Sequence, residues 1–345
     1  MRRFLLTSLL FILSTVFAFG QKTIKGKILN EATKDPIPYA NIGVINSNVG
    51  TISNFDGSFS IIIPQKLIHD SLTFSSLGFF KKTMALSILE TRKDYTILLN
   101  EKATILGPVV ILAKKLREKL VVLGNRSYDG GNYEPDTTYA GRAVALLITN
   151  KDFSKKSVVP IYLRKANLAI FRNNLESFKF RIRINKYDSL TGKPGEDLLD
   201  KSIVLESFWK SGWVTFDLTQ LNFRVTGPFF VTFEQLVDLR ERTDIAMGFR
   251  KIMRTHPEWY QTDTVEFEGK KQITQKLLMG GIDLPGTFIG STYSKSAIAK
   301  YPCFVRKTSL AEWVQVPMVI GATVELSGLF KTTTSETPII PPLGN

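Results

Sequence analysis

The chain has 345 residues, 43% hydrophobic and 22% charged, with a formal charge of +14. That balance fits folded domains with real cores and excludes a chain dominated by disorder. One cysteine and two histidines exclude an intrachain disulfide, a Cys-rich zinc site and a His-clustered metalloprotease centre.

Residues 1–20 read as a secretory signal. Arg2 and Arg3 precede an apolar run from Phe4 to Phe17, and Ala18 and Gly20 put small residues at −3 and −1. Cleavage is predicted before Gln21. The run is short for a bilayer span of about 20 residues, and no cysteine follows it to take a lipid. The predicted location is the periplasm, the outer-membrane surface or the medium. Export removes nucleic acid from the partners a basic chain suggests and leaves lipopolysaccharide, acidic glycans or plain solubility.

Residues 22–100 read as a small all-β domain. Thr23 to Ile28 alternates, Asp35-Pro36-Ile37-Pro38 is a turn, and Tyr39 to Ile45 is strand-like. Gly50 to Ile63 reads as strand, turn, strand. Asn54-Phe55-Asp56-Gly57 makes the turn, and Phe59, Ile61 and Ile63 share one face. Asp70 to Phe80 and Tyr95 to Leu99 add further strands. Turn signals at this spacing predict a β-sandwich.

The string Gly26-Lys27-Ile28, Pro36 to Ile42, Gly50-Thr51, Asp56 to Ile61, Asp70-Ser71-Leu72, Ser75 to Phe79 and Ile97-Leu98-Leu99 resembles the carboxypeptidase-regulatory-like (transthyretin-like) domain of Gram-negative envelope proteins. The resemblance implies a seven-stranded sandwich without catalytic residues of its own, occupying residues 21–113. It says more about cellular neighbourhood than about activity. Gly107 to Ala113 resembles the short strand that ends this domain in receptors, ahead of a plug and a barrel. The remaining residues lack the repeated ten-residue alternation of an outer-membrane barrel, so a transporter is rejected.

Lys114 to Asn125 is expected to be a short helix ending at Gly124, and 114–139 a helix and linker. Residues 140–330 read as a second, jelly-roll-like β-sandwich with a short helical insertion. Its strands are placed at 158–170, 178–184, 202–206, 212–218, 223–225, 229–233, 313–316 and 318–326. Phe178 to Ile184 alternates, which predicts Lys179, Arg181 and Arg183 on an outer face. A helix is expected at 243–254 with Thr243 as its cap, then a long irregular excursion at 258–296. Residues 331–345 form a Pro-rich tail.

No nucleophile motif accompanies His69 or His256, and Cys303 sits in an apolar setting. The predicted ligand-binding residues are Lys179, Arg181 and Arg183 as a basic stripe for an anionic glycan or lipopolysaccharide, with Trp209 and Trp213 flanking Lys210 as sugar-stacking groups. Glu196, Asp197 and Asp200 share a loop and form a weak calcium candidate. No other cofactor is expected. The leading reading is a non-enzymatic exported envelope protein that binds or scaffolds. Its partner is a cell-envelope component or glycan, or an outer-membrane protein. The alternatives are a carboxylate-dependent glycoside hydrolase, drawing on Glu206, Asp217 and Glu234 as well as the loop acids, and a docking partner of an outer-membrane receptor.

Overall fold

The computed structural model describes residues 21–89, 93–102, 116–132, 140–149, 160–267, 270–277 and 285–331. The segment expected to be a signal, the strand expected at 107–113, residues 133–139 of the expected linker and the expected tail beyond 331 lie outside these residues. The described chain divides into two units. The first holds residues 21–102 together with 140–141 and 307–312, and the second holds the remainder.

The first unit has seven strands: β1 (Lys22–Asn30), β2 (Asn41–Gly43), β3 (Gly50–Ile52), β4 (Ser58–Ile63), β5 (Ser71–Ser75), β6 (Lys82–Ala85) and β7 (Asp94–Leu99). They make a sheet in the order β4-β1-β7 and a sheet in the order β3-β2-β5-β6. The turn at Asn54–Gly57 is the predicted one. Gly57 sits at φ 75, where a Cβ is disfavoured, and its N–H donates to the Asn54 carbonyl at 3.0 Å. Phe59, Ile61 and Ile63 then point inward while Ile62 is exposed. Ile24, Ile28, Ile42, Leu72, Phe74 and Ile97 complete the core.

Residues 307–312 belong to this unit although they lie more than 200 positions downstream. The Asn46 N–H donates to the Leu310 carbonyl at 3.0 Å, and the Ser309 hydroxyl donates to the Thr51 carbonyl at 3.0 Å. Thr308 and Ser309 are fully buried. Gly50 lets the backbones approach, since a Cβ there would meet the Ser309 carbonyl oxygen at 2.6 Å.

Among the described residues the second unit is a sandwich-like β structure of two large sheets with a separate two-stranded sheet. Its strands are β8 (Leu116–Asn125), β9 (Gly130–Asn132), β10 (Ala143–Ile148), β11 (Ile161–Asn173), β12 (Phe178–Tyr187), β13 (Pro194–Asp197), β14 (Ile203–Ser207), β15 (Gly212–Asp217), β16 (Arg224–Val225) and β17 (Phe229–Leu236). After helix α1 (Leu239–Thr255) come β18 (Tyr260–Phe267), β19 (Lys270–Leu277) and β20 (Thr287–Thr292). Helix α2 (Lys295–Lys300) leads to β21 (Cys303–Arg306), β22 (Val314–Val316), β23 (Val319–Ile320) and β24 (Ala322–Lys331). One sheet runs β13-β12-β17-β10-β21-β22 with β14 beside β12. The other runs β23-β20-β11-β24-β8, with β15 and β16 on β11 and β9 on β20. The core between them includes Val144, Leu146, Leu168, Ile170, Phe180, Ile182, Val214, Phe216, Phe233 and Val324.

Three expected elements are corrected. The helix at 114–125 is instead strand β8, paired antiparallel with β24 from Ala322↔Asn125 to Lys331↔Leu116. Its apolar run Leu120 to Leu123 satisfies its backbone across a ten-residue ladder that local pattern does not reveal. Helix α1 starts earlier than expected, because Asp238 caps it. The Asp238 carboxylate accepts from the Glu241 N–H at 2.9 Å and Glu241 reaches back to the Asp238 N–H at 3.0 Å, a reciprocal capping box. The excursion at 258–296 contains the β18–β19 hairpin, strand β20 and the start of α2.

The basic stripe on β12 is the largest correction. Arg181 is 0% exposed and Arg183 is buried, as are Phe180, Ile182 and Ile184, which alternate with them. The outer face of this sheet carries its own small core of Ala143, Ala145, Phe230, Phe304 and Trp313. The arginines are therefore neutralised inside the protein. Register places Glu234 of β17 opposite Arg181. The fully buried Glu234 carboxylate accepts from Arg183 Nε and lies 3.7 Å from both Arg181 and Arg306. Arg183 also donates to Asp197 at 2.9 Å, and the Arg306 guanidinium lies over the Trp313 ring at 4.9 Å. Burial alone would raise the Glu234 pKa, but Arg183, Arg181 and Arg306 outweigh it and hold it at about 2. Burial lowers Arg181 and Arg306 to about 10, so both stay charged at neutral pH. For Arg183 burial is more than offset by Glu234 and Asp197, and its pKa rises.

Two outcomes test these packings. Gly50→Ala should lower the stability of the first unit by about 1–3 kcal/mol, seen as a shifted thermal midpoint. Gly227→Ala, where nothing lies within 4 Å of the added carbon, should not shift it. Glu234→Gln should cost about 3–5 kcal/mol by stranding buried guanidinium groups. A carboxylate with a depressed pKa stabilises above its unfolded value and loses that contribution as pH falls through the folded one. The Glu234 contribution is thus complete above about pH 4.5 and lost toward about pH 2, and Glu234→Gln should flatten stability across that window.

Candidate functional site

The predicted site residues separate into two groups. Arg181 and Arg183 are inside the ion cluster and unavailable to a ligand. Lys179 is half-buried and pairs with Glu206 at 3.2 Å. Of the loop acids, Asp197 is turned to Arg183 and accepts the Leu199 N–H at 3.0 Å, Glu196 is exposed beside Lys186 at 3.9 Å, and Asp200 is exposed. They do not converge, and among the described residues no three His, Cys, Asp or Glu side chains are placed to hold a metal. The Cys303 thiol is buried, which pushes its pKa up to about 12, so it is not a thiolate at neutral pH.

Trp209 and Trp213 behave differently. Trp209 is 67% exposed and its neighbour Phe208 is 66% exposed. Both sit in the loop between β14 and β15. Trp213 is 39% exposed at the start of β15 and Phe171 is 36% exposed near the end of β11. Trp213 pairs with Ala169 across the β11–β15 ladder and meets the Tyr128 ring edge-on, centroids 5.9 Å apart. Tyr128 in turn rests on small residues of neighbouring strands. A Cβ at Gly290 or Gly321 would lie 2.9 Å or 3.1 Å from that ring. Trp213 is therefore seated on a rigid floor, which limits the ordering entropy a ligand must overcome there.

Along the same sheet face runs a polar ladder. The Thr215 hydroxyl donates to Asn167 Oδ1 at 2.7 Å, the Asn167 amide donates to Thr323 at 3.1 Å, and Lys165 pairs with Glu325 at 3.7 Å. Asp217 accepts the Thr219 N–H at 2.9 Å, a turn-closing role.

At the aromatic end of the face opens a groove of about 670 Å³, lined by Phe171, Arg172, Asn173, Asn174, Lys210, Ser211 and Pro285. Its wall is rigid. The buried Asn173 side chain accepts from the Leu175 N–H at 3.1 Å and the Thr287 hydroxyl at 3.0 Å, and donates to the Leu175 carbonyl at 3.1 Å. Lys210 donates to that same carbonyl at 2.6 Å, and its own carbonyl accepts the Asn173 N–H at 2.7 Å. Sequence reasoning singled out Trp209, Lys210 and Trp213 but missed Phe171, Arg172, Phe208 and Tyr128. The adjacent pair Phe208-Trp209 was the legible signal. The others come to this end only through strand pairing.

No curated protein matches the chain. Among solved structures, one of the cysteine protease and lectin-like domains of Cwp84, a surface layer associated protein of Clostridium difficile, aligns over 91% of this chain. The alignment covers 60% of that structure's chain, at 10% identity and a TM-score of 0.30, too low to carry an argument about fold or function. The family model described as CarboxypepD_reg-like domain matches residues 24–111, a regulatory, non-catalytic type of domain. The chain thus holds a carboxypeptidase-regulatory-like domain followed by a further β-rich region.

Proposed function

We propose that this is an exported, non-catalytic binding protein of the cell envelope, and that its second unit takes a glycan on the aromatic end of the β11–β15 face. One observation carries the reading: Phe208 and Trp209 stand exposed, at 66% and 67%, beside a groove whose walls are held by hydrogen bonds. Exposed rings with an apolar face and an adjacent polar rim suit the faces and hydroxyls of sugar rings. The Asn167–Thr215–Thr323 ladder adds polar side chains on the same face. No cofactor is required by this reading.

The hydrolase alternative finds less support. It needs two carboxyl groups facing a substrate across a cleft. Glu234 and Asp197 do approach each other, but through Arg183 between them, and Glu234 is 0% exposed. Glu206 is occupied by Lys179 and Ser177.

A glycan array probed with residues 21–345 checks the proposal. Trp209→Ala and Phe208→Ala should each weaken binding to the best ligand at least tenfold, about 1.4 kcal/mol, while shifting stability by no more than about 0.5 kcal/mol because both side chains are exposed. An array without a hit, or hits indifferent to both substitutions, would refute it.

A further inference from the structure

The groove's charge narrows the ligand. Among the described residues its lining includes two cations, Arg172 and Lys210, and no carboxylate. Lys210 spends one donor on the Leu175 carbonyl at 2.6 Å, which fixes its ammonium at the rim and leaves further N–H groups for a ligand. Both cations flank the exposed rings in sequence: Arg172 follows Phe171, and Lys210 follows Trp209. On the far part of the face Lys165 pairs with Glu325, Asp217 is acidic, and Arg224 of β16 is exposed beside β11. The groove end carries the two cations next to the exposed rings, while hydroxyl and amide groups of Thr215, Asn167 and Thr323 lie along the stretch from Trp213 to Asp217. At about 3.3 Å per residue that stretch alone runs roughly 13 Å, longer than one sugar ring.

Resting on the glycan-binding reading above, we infer that the site takes an acidic polysaccharide, with a carboxylate or phosphate substituent seated between Arg172 and Lys210 and a neighbouring ring stacked on Trp209. The chain continues over the Trp213–Thr215 ladder. The basic character of the protein enters recognition here, at the groove, and not through the arginines of β12. A charge-assisted hydrogen bond from an ammonium held at a fixed rim position to a carboxylate or phosphate is roughly twice as strong as one to a neutral hydroxyl, which discriminates between charged and neutral ligands.

Two matched pairs of polymers test this on the full exported chain: polygalacturonate with its methyl ester, and phosphomannan with neutral mannan. Affinity is measured in about 0.15 M salt, where long-range attraction is screened. In at least one pair the acidic member should bind tenfold or more tightly than the neutral one, and the pair that shows it identifies carboxylate or phosphate. Lys210→Glu should abolish that preference, with neutral binding changed less than threefold. Trp209→Ala should weaken acidic and neutral members together. Lys81→Glu, the same charge change on the first unit, should leave the preference intact. Equal binding within both pairs, or equal loss from Lys81→Glu and Lys210→Glu, would overturn the acidic-ligand inference while leaving glycan binding standing. Absence of binding to all four polymers, with Trp209→Ala indistinguishable from the parent chain, would overturn the glycan reading itself and this inference with it.

Discussion

A single buried carboxylate organises the second unit. Glu234 lies in the middle of a sheet, without solvent, among Arg181, Arg183 and Arg306. Charges so placed are tolerated only when each has a partner, since desolvation otherwise exceeds any Coulombic gain. The β12–β17 ladder must therefore hold its register. A slip of one residue would turn Glu234 toward the apolar core and leave Arg181 facing Phe233 or Gln235 and Arg183 facing Val231 or Phe233. Ion pairing contributes specificity here, and the hydrophobic core between the sheets contributes most of the driving force.

The candidate site has the opposite physical character and lies on the other sheet of the same unit. Its aromatic groups are exposed, and its cations stand at a groove rim. What the two regions share is rigidity. Asn173 ties the end of β11 to the Leu175 loop and to β20 through its side chain, much as Arg183 ties β12 to β17 and Asp197. A preformed wall lets a weakly held ligand such as a sugar bind without first ordering the protein.

The first unit contributes an example of cooperation at long sequence range. Residues 307–312 complete a domain whose recognisable sequence ends near 111. Gly50 is the local sign of it, because the space a side chain would fill there is occupied by the Ser309 carbonyl. A regulatory-like domain that borrows a segment from elsewhere in its chain is harder to excise than its family match suggests.

Much was legible in the residues alone. Period-two alternation and turn chemistry set the strands of the first unit, and Asn54 to Gly57 could make little other than a tight turn. The same rule located β12, β15 and β17, because alternation is a local consequence of strand geometry. It could not say which face of β12 was wet. Lys179, Arg181 and Arg183 alternate with apolar residues whether water or Glu234 lies opposite, and Glu234 is 51 positions from Arg183. The helix expected at 114–125 failed for the same reason, as its partner strand begins at Ala322. Local periodicity determined where strands run and which residues share a face. Long-range pairing alone decided which charges are buried, which rings remain exposed, and that Phe171 and Lys210 line one groove while Tyr128 meets Trp213 on the same sheet.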